Sequence, residues 1–330
     1  MTYLIIFIGL FFLEILYFRM ASFFNITDKP NQRSSHNYIT LRGGGIVFYF
    51  AVLIYFVTSE FQYPWFFLGL TMMAAVSFID DIFTLSNRIR LLVHFSAVLL
   101  MAYELEIFAI PLLYLIITFI VIVGVINAYN FMDGINGITA AYSLSVGSLL
   151  ILINQREKFI DQDLLVYTLL GVLVFAFFNF RNRAKCFAGD VGSVSLAYIL
   201  LFALGCLILE TGNLIYLLLL SVYGVDTVWT IIRRLHLKEN IFDAHRSHLY
   251  QFLGNEVGLN KLLVSFLYGA IQFVIGLAIL YMVKQSDFAQ WVFSIMLLIG
   301  LSAVYIGLKT WVIRKYVITA SSKIKYRSYE

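Results

Sequence analysis

Charge is scarce in this chain of 330 residues. Only 13% of the residues are Asp, Glu, Lys or Arg, 23 basic against 19 acidic, while 61% are hydrophobic. An ordinary soluble domain is about 25% charged. A water-soluble monomer of this composition would expose apolar surface almost everywhere, which excludes a soluble globular enzyme and a disordered chain. Two cysteines, Cys186 and Cys206, exclude a disulfide scaffold, and with one in a polar stretch and the other in an apolar run no bridge is expected. Three prolines leave no Pro-rich linker. There is no HExxH, no Cys/His zinc spacing and no Walker P-loop. No internal repeat or long polar segment marks a second domain. What remains is an all-α, polytopic integral membrane protein, read as one transmembrane domain over residues 1–330.

A spanning helix needs about 20 mainly apolar residues, fewer where flanking side chains snorkel. Eleven candidates follow: 3–23, 43–59, 65–79, 90–103, 107–126, 136–153, 164–180, 193–209, 213–232, 262–283 and 289–312. The first lacks a basic n-region and a small-residue cleavage site and reads as a retained helix. Placing the connecting segments alternately on two faces puts 18 Lys and Arg on one face and only Arg156, Lys158 and Lys284 on the other. By the positive-inside rule the rich face is cytoplasmic, with the N-terminus outside and the C-terminus in the cytoplasm.

That face holds nearly all the polar clusters. Its first loop reads DKPNQRSSH and continues to LRGGGI; the second carries Asp80 and Asp81; the third Asn127, Asn130, Asp133 and Asn136; the fourth Gly189-Asp190 and Ser193; the fifth, Arg233 to Lys261, His245-Arg246-Ser247-His248. Each has a plain structural reading. Paired acids can be solvated loop residues, a triple glycine a tight helix entry, membrane asparagines interhelical glue, Gly-Asp a turn and helix cap, and Arg233-Arg234 an interfacial anchor. Together they point to chemistry. Carboxylates with an amide oxygen suit a hard cation such as Mg²⁺, which takes one or two carboxylates plus phosphates and water. Arg and His suit phosphate oxygens, and glycines allow close backbone approach to a phosphate. From residues alone the site reads as Mg²⁺-dependent phosphoryl transfer at the cytoplasmic membrane surface.

The segments DKPNQRSSH with LRGGGI, DDIFTLSNRIR, NAYNFMDGING, FNFRNRAKCFAGDVGS and AHRSHLYQ, in that order over residues 28–251, resemble the polyprenyl-phosphate N-acetylhexosamine-1-phosphate transferases, enzymes of the glycosyltransferase family 4 type. The resemblance implies transfer of a sugar 1-phosphate from a UDP-sugar to undecaprenyl phosphate in a bacterial inner membrane, with release of UMP. It places Asp80, Asp81 and Asp190 in catalysis, Asp80 being the better candidate for assisting the acceptor's attack. Asp190 and Asn130 match Mg²⁺-holding positions, with Mn²⁺ as a substitute. Asn136 matches a position near the uracil, and Asp133 supports the nucleotide pocket. Arg246 and His248 match the loop gripping the diphosphate and sugar; Asn127, His245 and Arg33 complete the expected substrate-binding set. The implied partners are a UDP-N-acetylhexosamine, undecaprenyl phosphate and membrane lipid, with room for a homodimer and no role for nucleic acid.

The fifth loop departs from the peptidoglycan and GlcNAc-type pattern, with Tyr250 and Gln251 where those relatives carry a run of histidines. This form is similar to the subgroup that initiates O-antigen or capsule units from UDP-N-acetyl-6-deoxyhexosamines, and a Tyr250 ring could pack on a C6 methyl. The rival class is an ion-coupled transporter, which would place its acids near the membrane midplane; Glu14 is taken as the one acid well inside a helix. A polyprenyl-diphosphate phosphatase is a second rival and needs no uracil pocket.

Overall fold

The computed structural model describes residues 1–30, 35–83, 85–241 and 245–318. Arg33, expected to touch substrate, lies outside them. The long helices are α1 (Thr2–Phe23), α2 (Ile46–Thr58), α3 (Pro64–Ile82), α4 (Asn87–Glu104), α5 (Leu112–Met132), α6 (Ile138–Glu157), α7 (Gln162–Asn179), α8 (Gly189–Thr211) and α9 (Ser221–His236, entered through a 3-10 stretch, Leu214–Leu220). After a short α10 (Leu249–Gln251), which runs into a π turn (Phe252–Glu256), come α11 (Lys261–Met282) and α12 (Asp287–Val312).

Each of the eleven expected spans overlaps one long helix, though 107–126 also takes in a separate 3-10 turn, Ile107–Ala109, and 213–232 the 3-10 stretch before α9. Among the described residues, nine helical segments are long and apolar enough to cross a membrane. The two others are α2, with 13 residues, and α4, which carries Arg88, Arg90, His94 and Glu104. The chain is an all-α polytopic membrane protein. Its outer surface is correspondingly apolar: Leu112, Ile120, Met296 and Ile299 are each more than 60% exposed, as a lipid-facing surface requires.

The core is built around α8, whose residues Val191 to Leu204 are all buried, Ser193 and Ser195 included. It packs against α2, α3, α5 and α6, while α12 lies at the periphery on α9. Small residues let the backbones approach. A Cβ on Gly45 would collide with the Gly192 backbone, one on Gly69 with Tyr198, and one on Gly276 with Leu149. This is how helices pack where lipid offers no hydrophobic drive to associate.

Several polar clusters expected in loops sit on helix ends. Asp80 and Asp81 are in the last turn of α3, Asn127 and Asn130 in the last two turns of α5, and Asp190 in the first turn of α8. Polar residues at a terminus dilute a hydropathy window, so the apolar run stops before the helix does. The first polar segment also forms a small antiparallel hairpin, Thr27–Asp28 with Thr40–Leu41, and Leu41 bridges in parallel to Cys186. Cys186 and Cys206 are free.

Candidate functional site

The C-terminal ends of α1, α3 and α5 and the N-terminal ends of α2 and α8 meet at one end of the bundle. There α8 starts at Gly189 with no side-chain cap from its own first residues. Its exposed amides are satisfied from another helix: Asp81 Oδ1 accepts the Asp190 N–H at 3.0 Å and Oδ2 the Val191 N–H at 3.1 Å. A carboxylate at a helix N-terminus satisfies orphan donors and complements the helix dipole. Gly189 has φ 71°, and a Cβ there would strike Asp81 Oδ2, so glycine is required for the fit.

Two arginines thread between three carboxylates. Arg42 Nε lies 2.7 Å from Asp81 Oδ1 and its Nη2 3.3 Å from Asp190 Oδ1. Arg90 Nη1 lies 3.0 Å from Asp80 Oδ2 and its Nη2 3.2 Å from Asp190 Oδ2. Asp190 is thus shared by both guanidiniums. Its side chain is 15% exposed, against 0% for Asp81 and 8% for Asp80. Enclosure alone would pull the Arg42 pKa down, but Asp81 and Asp190 outweigh it and raise it. Asp80 Oδ1 also accepts the Leu85 N–H at 2.6 Å, which fixes the start of the connection to α4.

Beside this cluster lies a cavity of about 360 Å³ whose walls include Arg42, Asn130, Asp133, Asn136, Asn179, Asp190 and Gln251, with Asp28, Ser35 and His36 from the hairpin segment. Asn130 Oδ1 accepts the Ser193 hydroxyl at 2.9 Å. Asp133 Oδ1 accepts the Thr139 hydroxyl at 2.6 Å. Enclosure raises the Asp133 carboxyl to about 6, against the pull of that hydroxyl. Asn136 is buried and its Nδ2 is committed to Tyr38 Oη (3.1 Å) and to the carbonyls of Arg181 (2.8 Å) and Asn182 (3.2 Å). Asn179 takes the Gly137 N–H at 2.7 Å and donates to the Cys186 carbonyl at 2.8 Å. These bonds make the polar wall rigid.

Of the expected site residues, Asn130, Asp133, Asn136 and Asp190 line the cavity, and Asp80 and Asp81 join it through the ion pairs on Asp190. The other described ones, Asn127, His245, Arg246 and His248, stand off the wall. Asn127 back-bonds the Val123 carbonyl of its own helix at 2.8 Å. Arg246 pairs with Glu256 at 2.7 Å. His245 stacks on His248 with ring centroids 5.0 Å apart, and enclosure beside His248 and Arg234 lowers its pKa to about 4. His248 is buried against Asp226, 3.1 Å from Nδ1 to Oδ1. Tyr250 is fully buried and donates to the Phe131 carbonyl at 2.9 Å, so it faces the protein and not the cavity.

Other readings change as well. Two of the three glycine amides are not offered to a phosphate: Gly44 N–H goes to the Phe187 carbonyl (2.8 Å) and Gly45 N–H to the Ala188 carbonyl (3.0 Å). Arg234 is buried and pins the turn after α9 through Glu239 and the Asn240 carbonyl; it is not an exposed interfacial anchor. Glu14 is not alone among acids buried inside a helix, since Asp226 is 2% exposed. Arg42 and Arg90 fall in the LRGGGI and DDIFTLSNRIR segments, but the sequence does not show that they pair with the site acids. The usable signal was that Arg90 stands in the same short segment as Asp80.

A hard cation fits the donors present. Asp190 and Asn130 both present oxygens to the cavity, and the Asn130 carbonyl keeps a lone pair beyond the one used by Ser193. Among the described residues no trio of His, Cys, Asp and Glu forms an all-protein cage. One carboxylate with one amide oxygen suits Mg²⁺, which is held by one or two carboxylates with phosphates and water completing its shell.

Residues 63–208 match the profile described as glycosyl transferase family 4. The chain is 30% identical over 254 residues to an undecaprenyl-phosphate alpha-N-acetylglucosaminyl 1-phosphate transferase of Thermotoga maritima, covering 72% of this chain and 77% of that protein. It is 26% identical over 256 residues to a probable undecaprenyl-phosphate N-acetylglucosaminyl 1-phosphate transferase of Bacillus subtilis, covering 71% of each. With a phospho-N-acetylmuramoyl-pentapeptide-transferase of Streptococcus gordonii it shares 30% identity over 195 residues, 54% of this chain and 58% of that one.

Proposed function

The chain belongs to glycosyl transferase family 4, among the polyprenyl-phosphate hexosamine-1-phosphate transferases, and from that premise we propose that it transfers an N-acetylhexosamine 1-phosphate from a UDP-sugar to undecaprenyl phosphate. An oxygen of the lipid phosphate attacks the β-phosphorus of the donor. The bond between the β-phosphorus and the bridging oxygen breaks, and UMP leaves carrying that oxygen. The observation that carries this reading is the alternation of Asp81, Arg42, Asp190, Arg90 and Asp80 along one edge of a polar cavity walled by Asn130, Asp133 and Asn136.

The roles follow from the chemistry. Phosphoryl transfer asks a protein chiefly for positioning and charge stabilisation. Asp190 and Asn130 would hold Mg²⁺, which when bound would offset the charge of the diphosphate and of the leaving UMP. Arg42 and Arg90, which flank Asp190, are placed to turn to phosphate oxygens, for which a guanidinium is well shaped. Asp81 keeps α8 in place. Asp80 orients the acceptor phosphate, which is already anionic at neutral pH and needs no strong base. Asp133 and Asn136 shape the nucleotide end.

The 18-to-3 partition of Lys and Arg supports a cytoplasmic face for the site, and the bacterial undecaprenyl-phosphate relatives support the inner membrane. The product then starts a lipid-linked surface polysaccharide. A UDP-N-acetyl-6-deoxyhexosamine donor is supported by the form of the HRSHLYQ loop, but no longer by Tyr250, which is buried. UDP-GlcNAc is the second reading, favoured by the names of the Thermotoga and Bacillus relatives. The test is a membrane assay offering several UDP-sugars with undecaprenyl phosphate, reading UMP release and the mass of the lipid product. No UMP from any UDP-sugar would end the transferase reading; UMP from UDP-GlcNAc alone would decide for the second donor.

A further inference from the structure

A carboxylate buried within a membrane-spanning helix is costly unless donors surround it, and is retained where it does something. Asp226, on α9, is 2% exposed. Four donors converge on it: His248 Nδ1 at 3.1 Å, the Leu249 N–H at 3.1 Å and the Thr230 hydroxyl at 3.3 Å on Oδ1, and the Tyr268 hydroxyl at 2.8 Å on Oδ2. Behind Thr230 stands Lys309 of α12, 3% exposed, donating to the Thr230 hydroxyl at 3.1 Å and to Tyr305. This network joins α9, α11 and α12 to the HRSH segment. Both Asp226 and Lys309 lie beyond residue 208, where the family match ends.

The network leaves one atom over. With Nδ1 given to Asp226, His248 keeps only Nε2 for other work, and Nε2 is buried with no hydrogen-bond partner among the described residues. The ring stands next to the site. It neighbours Phe131, with ring centroids 6.4 Å apart, and Phe131 directly follows Asn130. Three residues on, Gln251 lines the cavity and accepts the His248 N–H at 3.2 Å. The carboxylate therefore fixes the ring's rotation and its tautomer, as outer partners of functional histidines do.

We propose that Asp226 is a positioning residue that holds His248 by Nδ1 and so fixes the turn from which Gln251 reaches the wall of the cavity where the donor's diphosphate and sugar bind. The proposal rests on the transferase reading for the identity of the ligand. The Asp226–His248 link itself does not depend on it.

The full-length protein, labelled with [¹⁵N]histidine and purified in detergent, provides a readout free of turnover. The chain has five histidines, and the His248 signals are those lost in His248→Ala. Asp226→Asn should shift the His248 Nδ1 and Nε2 resonances at constant pH and leave those of His36 and His94 in place. Unmoved His248 resonances would overturn the proposal. The kinetic arm is a double-mutant cycle on UMP release. Asp226→Asn and His248→Ala should each lower kcat about 10- to 100-fold, and the double variant should be no worse than His248→Ala alone. Losses that multiply would show Asp226 acting elsewhere and overturn the positioning role. Should Asp226→Asn fail to fold, Tyr268→Phe removes one donor to Oδ2 and runs the same cycle. A wild-type protein that releases no UMP from any UDP-sugar would remove the transferase reading, while the histidine spectrum would still decide whether Asp226 governs His248.

Discussion

The carboxylate of Asp81, on the last turn of α3, accepts the backbone N–H of Asp190, the first-turn acid of α8. The two acids therefore do different work: one builds the helix end on which the other is displayed. Asp81 is wholly buried, holding two amides and Arg42. Replacing it with Ala uncaps α8 and leaves the Arg42 guanidinium with Asp190 alone. Cap loss alone costs about 0.5–2 kcal/mol. Asp81→Ala should thus lower the thermal midpoint of the purified protein and its activity together, whereas Asp80→Ala, which removes one amide bond and one ion pair, should lower activity with a smaller change in midpoint. Equal midpoints for Asp81→Ala and wild type would contradict the capping role.

Asp190 is bonded to two arginines where the proposed reaction needs a cation. Chelation with EDTA should therefore stop UMP release, and Mg²⁺ should restore it, with Mn²⁺ acting as a substitute. Asp190→Asn should reduce kcat by on the order of a hundredfold or more, without recovery at high Mg²⁺. Arg90→Met should also reduce kcat, yet tighten Mg²⁺ binding to the substrate-free protein, because a competing charge on Asp190 has gone. Calorimetric titration of Mg²⁺ reads that sign directly; weaker binding in Arg90→Met would mean the arginine supports the metal and does not compete with it.

How much of this the sequence carried differs between fold and site. Runs of apolar residues long enough to span lipid locate the helices, because lipid leaves the backbone few alternatives. The gathering of Asp80, Asn130, Asp133 and Asp190 at one end follows from counting spans. The ends of helices were not legible, since Asp80 and Asn130 weaken the very hydropathy that would have extended α3 and α5 over them. Capping of α8 by Asp81 was out of reach for another reason. It joins residues 109 and 110 positions apart, and no local pattern encodes that. Asp226 and Lys309 were hidden as single charges inside long apolar windows, where their partners appear only once α9, α11 and α12 are packed together.

The Asp133 carboxyl, raised to about 6, places a titration in the working range. Because the folded pKa lies above the ordinary value near 3.8, its contribution to stability is full below that value and is lost as pH rises through about 6. Nucleotide binding that uses the carboxylate runs the other way and grows as pH rises through about 6. kcat/KM for the UDP-sugar should therefore show an acidic limb near pH 6, and Asp133→Asn should flatten that limb while lowering the plateau. A limb unchanged in Asp133→Asn would assign the titration to another group.

The orientation of the chain is testable without chemistry. Cysteines placed at Ser35, Ser86 and Ser247 should react with an impermeant thiol reagent only after the cells are opened, because all three lie on the Lys- and Arg-rich face. Labelling in intact cells, with controls near Lys158 behaving as external, would reverse the topology.

Donor choice is where sequence and structure diverge most. The sequence puts Tyr250 and Gln251 where relatives carry histidines, and suggests a tyrosine ring against the C6 methyl of a deoxy sugar. In the folded protein Tyr250 is buried under Gly134 and bonded to the Phe131 carbonyl, while Gln251 reaches the cavity wall. Removing the Tyr250 hydroxyl deletes one hydrogen bond behind the wall. Tyr250→Phe should therefore cost stability, about 1–3 kcal/mol for the carbonyl left unpaired, without altering the ratio of kcat/KM between a UDP-N-acetyl-6-deoxyhexosamine and UDP-GlcNAc. Gln251→Ala should alter that ratio, since a side-chain amide facing the cavity can pair with a sugar hydroxyl. The change should be modest if the amide serves only one hydroxyl, roughly tenfold to a hundredfold. Competition between the two donors in the same membranes reads the ratio. A ratio moved by Tyr250→Phe and untouched by Gln251→Ala would show that the loop rearranges on binding and brings the tyrosine to the sugar.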